Sequence, residues 1–249
     1  MLPVKIHEIP HLTIETLKFI IRSVNKFHIM FTFPIWITNL KNYETSTGAN
    51  ALEMAKIHEK VAQNTGKSIG ISVNAIDLYR VAKEVSIPVF AQHVDPIDYG
   101  KGTGHILPQA VKKAGAVGTL LNHSERRLDI DVLKDSVACA QKATLARIVC
   151  AENPMEIEEL AKLQPDCLAF EPPELIGSTG ASVATAKPQS IEDSVKVSGG
   201  IPVLVGAGIN SVEDVKVSLS LGAKGFLVAT AITKAEDPEK ALREFVEAF

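Results

Sequence analysis

Cysteine is scarce. Cys139, Cys150 and Cys167 are the three in 249 residues, far apart and without a C-x-x-C pair. An odd, scattered set fits a reducing cytosol better than a disulfide framework, and each thiol then serves as a small buried hydrophobe. Charge of one sign is also missing: 26 basic residues stand against 29 acidic ones, for a net charge of −3 and a pI near 6.2. A nucleic-acid binder would show a basic balance or stripe, so no nucleic acid is expected as a partner. Long apolar runs are absent where a leader would sit. Lys18, Arg22 and Lys26 interrupt residues 1–29, which therefore neither span a membrane nor follow the charged, apolar, small order of a signal peptide. A cytoplasmic protein without a membrane partner is the expectation.

Leu12, Leu17, Ile20, Ile21 and Val24 fall near helical spacing with basic residues between them. That pattern suits an amphipathic surface helix. It also suits an appendage outside the fold, or an upstream start with Met30 as the true one. The expected division is an extension over 1–29 and one domain over 30–249. His7 to His11 match H-E-x-x-H, but Pro10 between them disfavours the helix that would put both imidazoles on one face. No third ligand follows at a recognisable spacing, so no metal is expected.

From Ile35 onward short β-rich runs alternate with longer amphipathic ones. Strands are predicted at 35–39, 68–73, 88–92, 117–122, 145–150, 167–170, 202–207 and 225–229. Near-continuous apolar runs suit strands buried on both faces of a parallel sheet. Helices are predicted at about 49–63, 75–84, 106–114, 130–142, 154–163, 190–198, 212–220 and 238–248. Ser211 and Asp237-Pro238 read as helix starts, and Gly222 as a left-handed cap. Eight strict βα alternations without a linker predict an α/β fold, a (β/α)8 barrel; a doubly wound open sheet is the runner-up. "GKGTGH" (100–105) places His105 where G-x-G-x-x-G needs glycine, and no strand leads into it, so it reads as a loop.

Barrels of this kind carry their chemistry at the carboxyl ends of the strands. Those ends offer Asn39 and Lys41, then Asn122 to Arg126, then Glu171, then "GAGI" (206–209), then "ATAIT" (229–233). A carboxylate, an imidazole and an ammonium from three strands suit proton abstraction beside a carbonyl. Glycines after strand seven let backbone N–H groups approach an anion, and loops after strands seven and eight often hold phosphate. A small phosphorylated carbonyl compound follows. Each piece alone has a plainer reading: a structural histidine, a solvated lysine, a surface salt-bridge cluster, a tight turn. Their convergence on predicted strand ends sets them apart.

In this order the motifs "N-x-K", "AQHVDPIDYGKGTGH", "NHSERR" and "FEPPELIG" resemble the triosephosphate isomerase family, over about Pro34 to Phe249 and in its short, archaeal-type form. The resemblance implies interconversion of D-glyceraldehyde 3-phosphate and dihydroxyacetone phosphate without any cofactor. It implies Glu171 as the base between C1 and C2, His123 as the neutral electrophile, and Lys41 as the stabiliser of developing negative charge. It implies Asn39 as a substrate ligand and Glu125 as a partner that positions Lys41 or a neighbouring subunit's loop. Gly177, at the tip of a lid over about 172–181, and Gly208 would bind phosphate with Ala229 and Thr230. Thr103 would stand at the tip of a loop entering a neighbouring subunit, in a homodimer or homotetramer. Glu171 is preferred to Glu174 because it leaves the strand directly, while Glu174 lies three residues into the loop.

One stretch departs from the family. Ala229-Thr230-Ala231 carries no glycine. A residue forced to φ > 0 there would cost alanine about 1 kcal/mol or more. Either the loop keeps ordinary φ values, or the Thr230 hydroxyl assists, or phosphate binds less tightly. Two alternatives to an isomerase remain: a lyase or synthase reusing the phosphate turn, and a barrel kept as a binding module.

Overall fold

The computed structural model describes residues 32–173 and 183–249, and Phe33–Phe249 forms one compact unit. Glu174, Gly177 and the predicted lid beyond Pro173 lie outside the described residues, as do the 29/30 boundary and the His7–His11 motif. The strands are β1 (Ile35–Asn39), β2 (Ser68–Val73), β3 (Val89–Ala91), β4 (Gly118–Leu121), β5 (Ala146–Ala151), β6 (Cys167–Phe170), β7 (Val203–Val205) and β8 (Gly225–Val228). Each pairs in parallel with the next, and β8 returns to β1, so the sheet closes into a barrel. The open-sheet alternative is thereby excluded.

The outer layer consists of α1 (Ala49–Thr65), α2 (Leu78–Glu84), α3 (Pro108–Lys113), α4 (Ile130–Lys142), α5 (Pro154–Ala161), α6 (Val183–Ala186), α7 (Pro188–Val197), α8 (Val212–Ser220), α9 (Thr230–Thr233) and α10 (Pro238–Val246). Proline stands at the start of α3, α5, α7 and α10, where its missing N–H costs nothing. The second predicted helix begins three residues late. Asn74 Oδ1 accepts from the amides of Ile76 (2.9 Å) and Asp77 (3.0 Å), and this turn replaces the first helical turn. Strands three and seven each begin one residue later than predicted because each run opens on proline. Pro88 and Pro202 cannot donate, yet their carbonyls still accept from Ile71 and Leu168.

Trp36 and Thr38 face outward from β1 toward the helices. Trp36 stacks on Phe245 at 5.1 Å, and its Nε1 donates to Thr38 Oγ1 at 3.0 Å. The imidazole of His58 on α1 lies 2.6 Å from the same hydroxyl through Nε2 and 2.7 Å from the Met54 carbonyl through Nδ1. A carbonyl only accepts, so Nδ1 carries the proton and Nε2 accepts from Thr38. This chain of bonds ties α1 to the strand that ends in Asn39.

His58 is fully buried, and burial pushes its pKa down to about 4 from 6.5. Below pH 6.5 the unfolded chain takes up a proton that the folded chain refuses until about pH 4. The stability held by neutral His58 is therefore complete above pH 6.5 and lost as pH falls, by at most about 1.4 kcal/mol per pH unit. Urea unfolding across this range is expected to show that acid limb, and His58→Leu is expected to flatten it.

Candidate active site

The carboxyl ends of the strands share one rim, and the polar residues arrive there by different routes. Asn39 is the last residue of β1, and Asn122 and His123 follow β4. Glu171 follows β6, and its amide donates to the Ala151 carbonyl at 2.8 Å, so the sheet ladder extends through the residue that carries the carboxylate. Asn39, Lys41, His123, Glu171, Gly208, Ala229 and Thr230 line one open cavity. The structure thus brings together the sequence-predicted residues of five strand ends. Glu125 and Thr103 do not line this cavity, and Gly177 lies outside the described residues.

Glu171 is 4% exposed. Its Oε1 lies 3.6 Å from His123 Nε2, and among the described residues its Oε2 has no hydrogen-bond partner. Gly206 makes room for this carboxylate: a Cβ there would stand 2.5 Å from Glu171 Cγ and 2.7 Å from Oε1. Cys150 is buried beneath it. Burial first, and the Glu171 charge second, push that thiol well above its ordinary pKa, so it adds no second negative charge.

His123 caps the short 3-10 turn Ser124–Arg126, whose Glu125 amide donates to Nδ1 at 3.2 Å. An amide N–H needs a lone pair, so Nδ1 is unprotonated and the neutral ring carries its proton on Nε2, facing the cavity. Asn39 Nδ2 lies 3.5 Å from that Nε2. Two donors therefore converge where a carbonyl oxygen could accept from both.

Lys41 takes φ +51°, a left-handed conformation uncommon outside glycine. Its amide donates to Asn39 Oδ1 (3.0 Å) and its carbonyl accepts from Gln92 Nε2 (2.9 Å). Gln92 also donates to Asn39 Oδ1 at 3.3 Å. The ammonium pairs with Glu125 Oε1 at 2.7 Å, with Glu125 57% exposed. Glu125 thus acts on the lysine and does not enter the cavity.

At the other end of the cavity, Gly208 adopts φ +65°. The loop from Gly206 is pinned by Asp214, whose Oδ2 accepts from the amides of Asn210 (3.0 Å) and Ser211 (2.8 Å). Ala229 has φ −124°, and none of residues 229–231 is left-handed. The missing glycine is therefore no strain. Thr230 and Ala231 open α9, the short helix that follows, and their amides stand at its free amino end. The Thr45 hydroxyl donates to the Thr233 carbonyl at 2.9 Å, tying this turn to the loop that carries Lys41.

Sequence reasoning passed over Gln92 as a site residue and gave Gly206 a different role. The strand-end rule that selects Asn39 also selects Gln92, but an amide carries no acid–base chemistry that would single it out. Gly206 was read as part of an anion-binding turn, whereas its missing Cβ clears space for a side chain 35 residues earlier. Only a folded contact reveals that.

Comparison with known proteins converges on one family. The family model "Triosephosphate isomerase" matches residues 34–248. A "Triosephosphate isomerase" of Methanobacterium bryantii is 46% identical over 217 residues, covering 86% of this chain and 96% of that protein. One from Metallosphaera sedula is 46% identical over 216 residues, covering 86% and 94%. The crystal structure of triosephosphate isomerase from Bartonella henselae superposes with a TM-score of 0.64 at 23% identity, covering 85% of this chain and 98% of that one; it shares the fold.

Gly206→Ala tests the steric role. The clash falls on a flexible side chain, so the barrel is expected to keep its melting temperature while Glu171 is displaced. Turnover is expected to fall by about tenfold or more, since small misplacements of a reacting group are costly. Unchanged turnover in the folded variant would remove Gly206 from the site.

Proposed function

Because the chain belongs to the triosephosphate isomerase family, we infer that Glu171, His123 and Lys41 are the groups with which it interconverts D-glyceraldehyde 3-phosphate and dihydroxyacetone phosphate. It is an aldose–ketose isomerase, and no observation favours a lyase or a catalytically silent barrel. The observation that carries the residue assignment is the pairing of a buried carboxylate with an imidazole whose Nε2 lies 3.6 Å from it and whose Nδ1 accepts from the Glu125 amide.

Starting from dihydroxyacetone phosphate, Glu171 takes a proton from C1. The electron pair left behind forms the C1–C2 double bond, and the negative charge moves to the C2 oxygen. His123 gives its Nε2 proton to that oxygen and takes one from the C1 hydroxyl. Glu171 then returns its proton to C2. The electrons lost at one carbon are gained at its neighbour, so the step balances without a redox partner. The Lys41 ammonium and the Asn39 amide offset the charge on the enediolate. The amides of Gly208, Thr230 and Ala231 offer donors to the phosphate, with Gly177 assigned to the lid above it. Lids of this kind, for which this family is a standard example, exclude water from the intermediate.

Two further properties belong to this reading. Thr103 is exposed at the tip of a loop whose stem is closed by Asp95, which accepts from the Ile106 amide at 2.6 Å through Oδ2. Such a preformed tip supports a homodimer or homotetramer in which the loop enters a neighbour. Among the described residues no helix is long and apolar enough to cross a membrane, and the three cysteines are free, which supports a cytoplasmic location. Residues 1–29 are assigned no part in catalysis.

A coupled assay reads the function directly: glyceraldehyde 3-phosphate is supplied, and the dihydroxyacetone phosphate formed is followed by NADH loss through an added dehydrogenase. The full chain and a chain beginning at Met30 are expected to turn over equally fast. Glu171→Asp withdraws the carboxylate by one methylene and is expected to lower kcat about a hundredfold, with inorganic phosphate inhibiting equally. A full rate from that variant would overturn the assignment of the base.

A further inference from the structure

We propose that Glu156, in the first turn of α5, is a positioning residue for His123: its carboxylate locks the left-handed turn at Asn122 through which the chain delivers the imidazole. The inference rests on the reading of His123 as the group that moves protons between the two substrate oxygens.

His123 inherits its direction from the residue before it. Asn122 has φ +60°, a conformation that asparagine tolerates better than most residues but that still needs support. Its side chain supplies part of that support. Oδ1 accepts from the Leu128 amide at 3.0 Å, which closes the loop, and Nδ2 donates to the Cys150 carbonyl at 3.0 Å. The same Nδ2 donates to Glu156 Oε1 at 3.3 Å.

Glu156 gathers the remaining strands of this network. Its Oε1 also accepts from Arg127 Nη2, while Arg127 Nη1 donates to the Asn122 carbonyl at 3.4 Å. Its Oε2 accepts from the Glu152 amide at 2.7 Å, and its own amide is held by Asn153 Oδ1 at 2.9 Å. One carboxylate, with 17% of its side chain exposed, therefore joins the loop after β4 to the loop after β5. Both the side chain and, through Arg127, the carbonyl of Asn122 are tied to it. Without it, Arg127 loses its close partner and the Asn122 side chain keeps only backbone partners. The turn is then free to relax, and Nδ1 of His123 loses its register with the Glu125 amide.

The test uses Glu156→Ala and Glu156→Gln in the full chain. Glu158→Ala, an exposed position on the same helix, serves as control. His123→Asn reports on the underlying reading. Glu156→Ala is expected to lower kcat by about 10- to 100-fold with KM changed less than about twofold, because the misplaced group acts on the reacting centre. Glu156→Gln, which keeps one acceptor oxygen, is expected to recover part of that loss and carries the test if the alanine variant does not fold. The ¹⁵N resonances of His123 should shift toward a mixture of tautomers as the amide bond to Nδ1 loosens. A kcat within about twofold of the parent, or a lowered Tm with unchanged His123 resonances, would overturn the proposal. Full turnover by His123→Asn would overturn the reading beneath it.

Discussion

Eight parallel strands hydrogen-bonded in a ring leave no free edge, and their carboxyl ends meet on one rim. Everything that bears on chemistry is referred to that ring. Glu171 is held on one side by its amide bond to Ala151. On the other side the Gly206 amide donates to the Phe170 carbonyl at 3.0 Å. The ladder therefore runs past the ends of β5, β6 and β7 and fixes the Cα of Glu171 to within the tolerance of a sheet. The same closure places Asn39 and His123, 84 residues apart, within 3.5 Å of each other.

On this rigid ring part of the unusual backbone stands beside the cavity. Among the described residues four non-glycine positions are left-handed, and two of them, Lys41 and Asn122, flank the site. Each costs on the order of 1 kcal/mol and persists because neighbours over-determine it. Lys41 is held through Asn39 and Gln92, and Asn122 through its own amide and the carboxylate of Glu156. Strain here has a visible use: an extended residue at either position would aim the lysine or the imidazole away from the cavity.

The end of the cavity at Gly208 is built differently, from backbone donors rather than strained side chains. Ser211 caps α8 in a capping box closed by Asp214, and the same Asp214 oxygen pins the preceding loop. Alanine and threonine suffice after β8 because no residue there needs φ > 0. Thr45 links that turn to the loop of Lys41, so the two ends of the cavity are mechanically connected.

The alternation of strands and helices was legible because period and length are local properties. "IWITN", "SIGISV" and "CLAF" match β1, β2 and β6 residue for residue. Helix α9 was not legible, since four residues carry no periodic signal. The placement of polar residues at strand ends already named the groups that line the cavity, because a parallel barrel leaves them nowhere else to go. Their directions were not in that pattern. That Nε2 of His123 holds the proton depends on an amide two residues on. That Gly206 must lack a side chain depends on a carboxylate from the neighbouring strand. That Gln92 and Glu156 matter depends on hydrogen bonds spanning 53 and 34 residues. The sequence by itself determined which residues stand on the rim, because that follows from pattern along the chain. Which atoms face one another was decided only when the ring closed, because contacts between distant strands exist in no stretch of chain shorter than the fold.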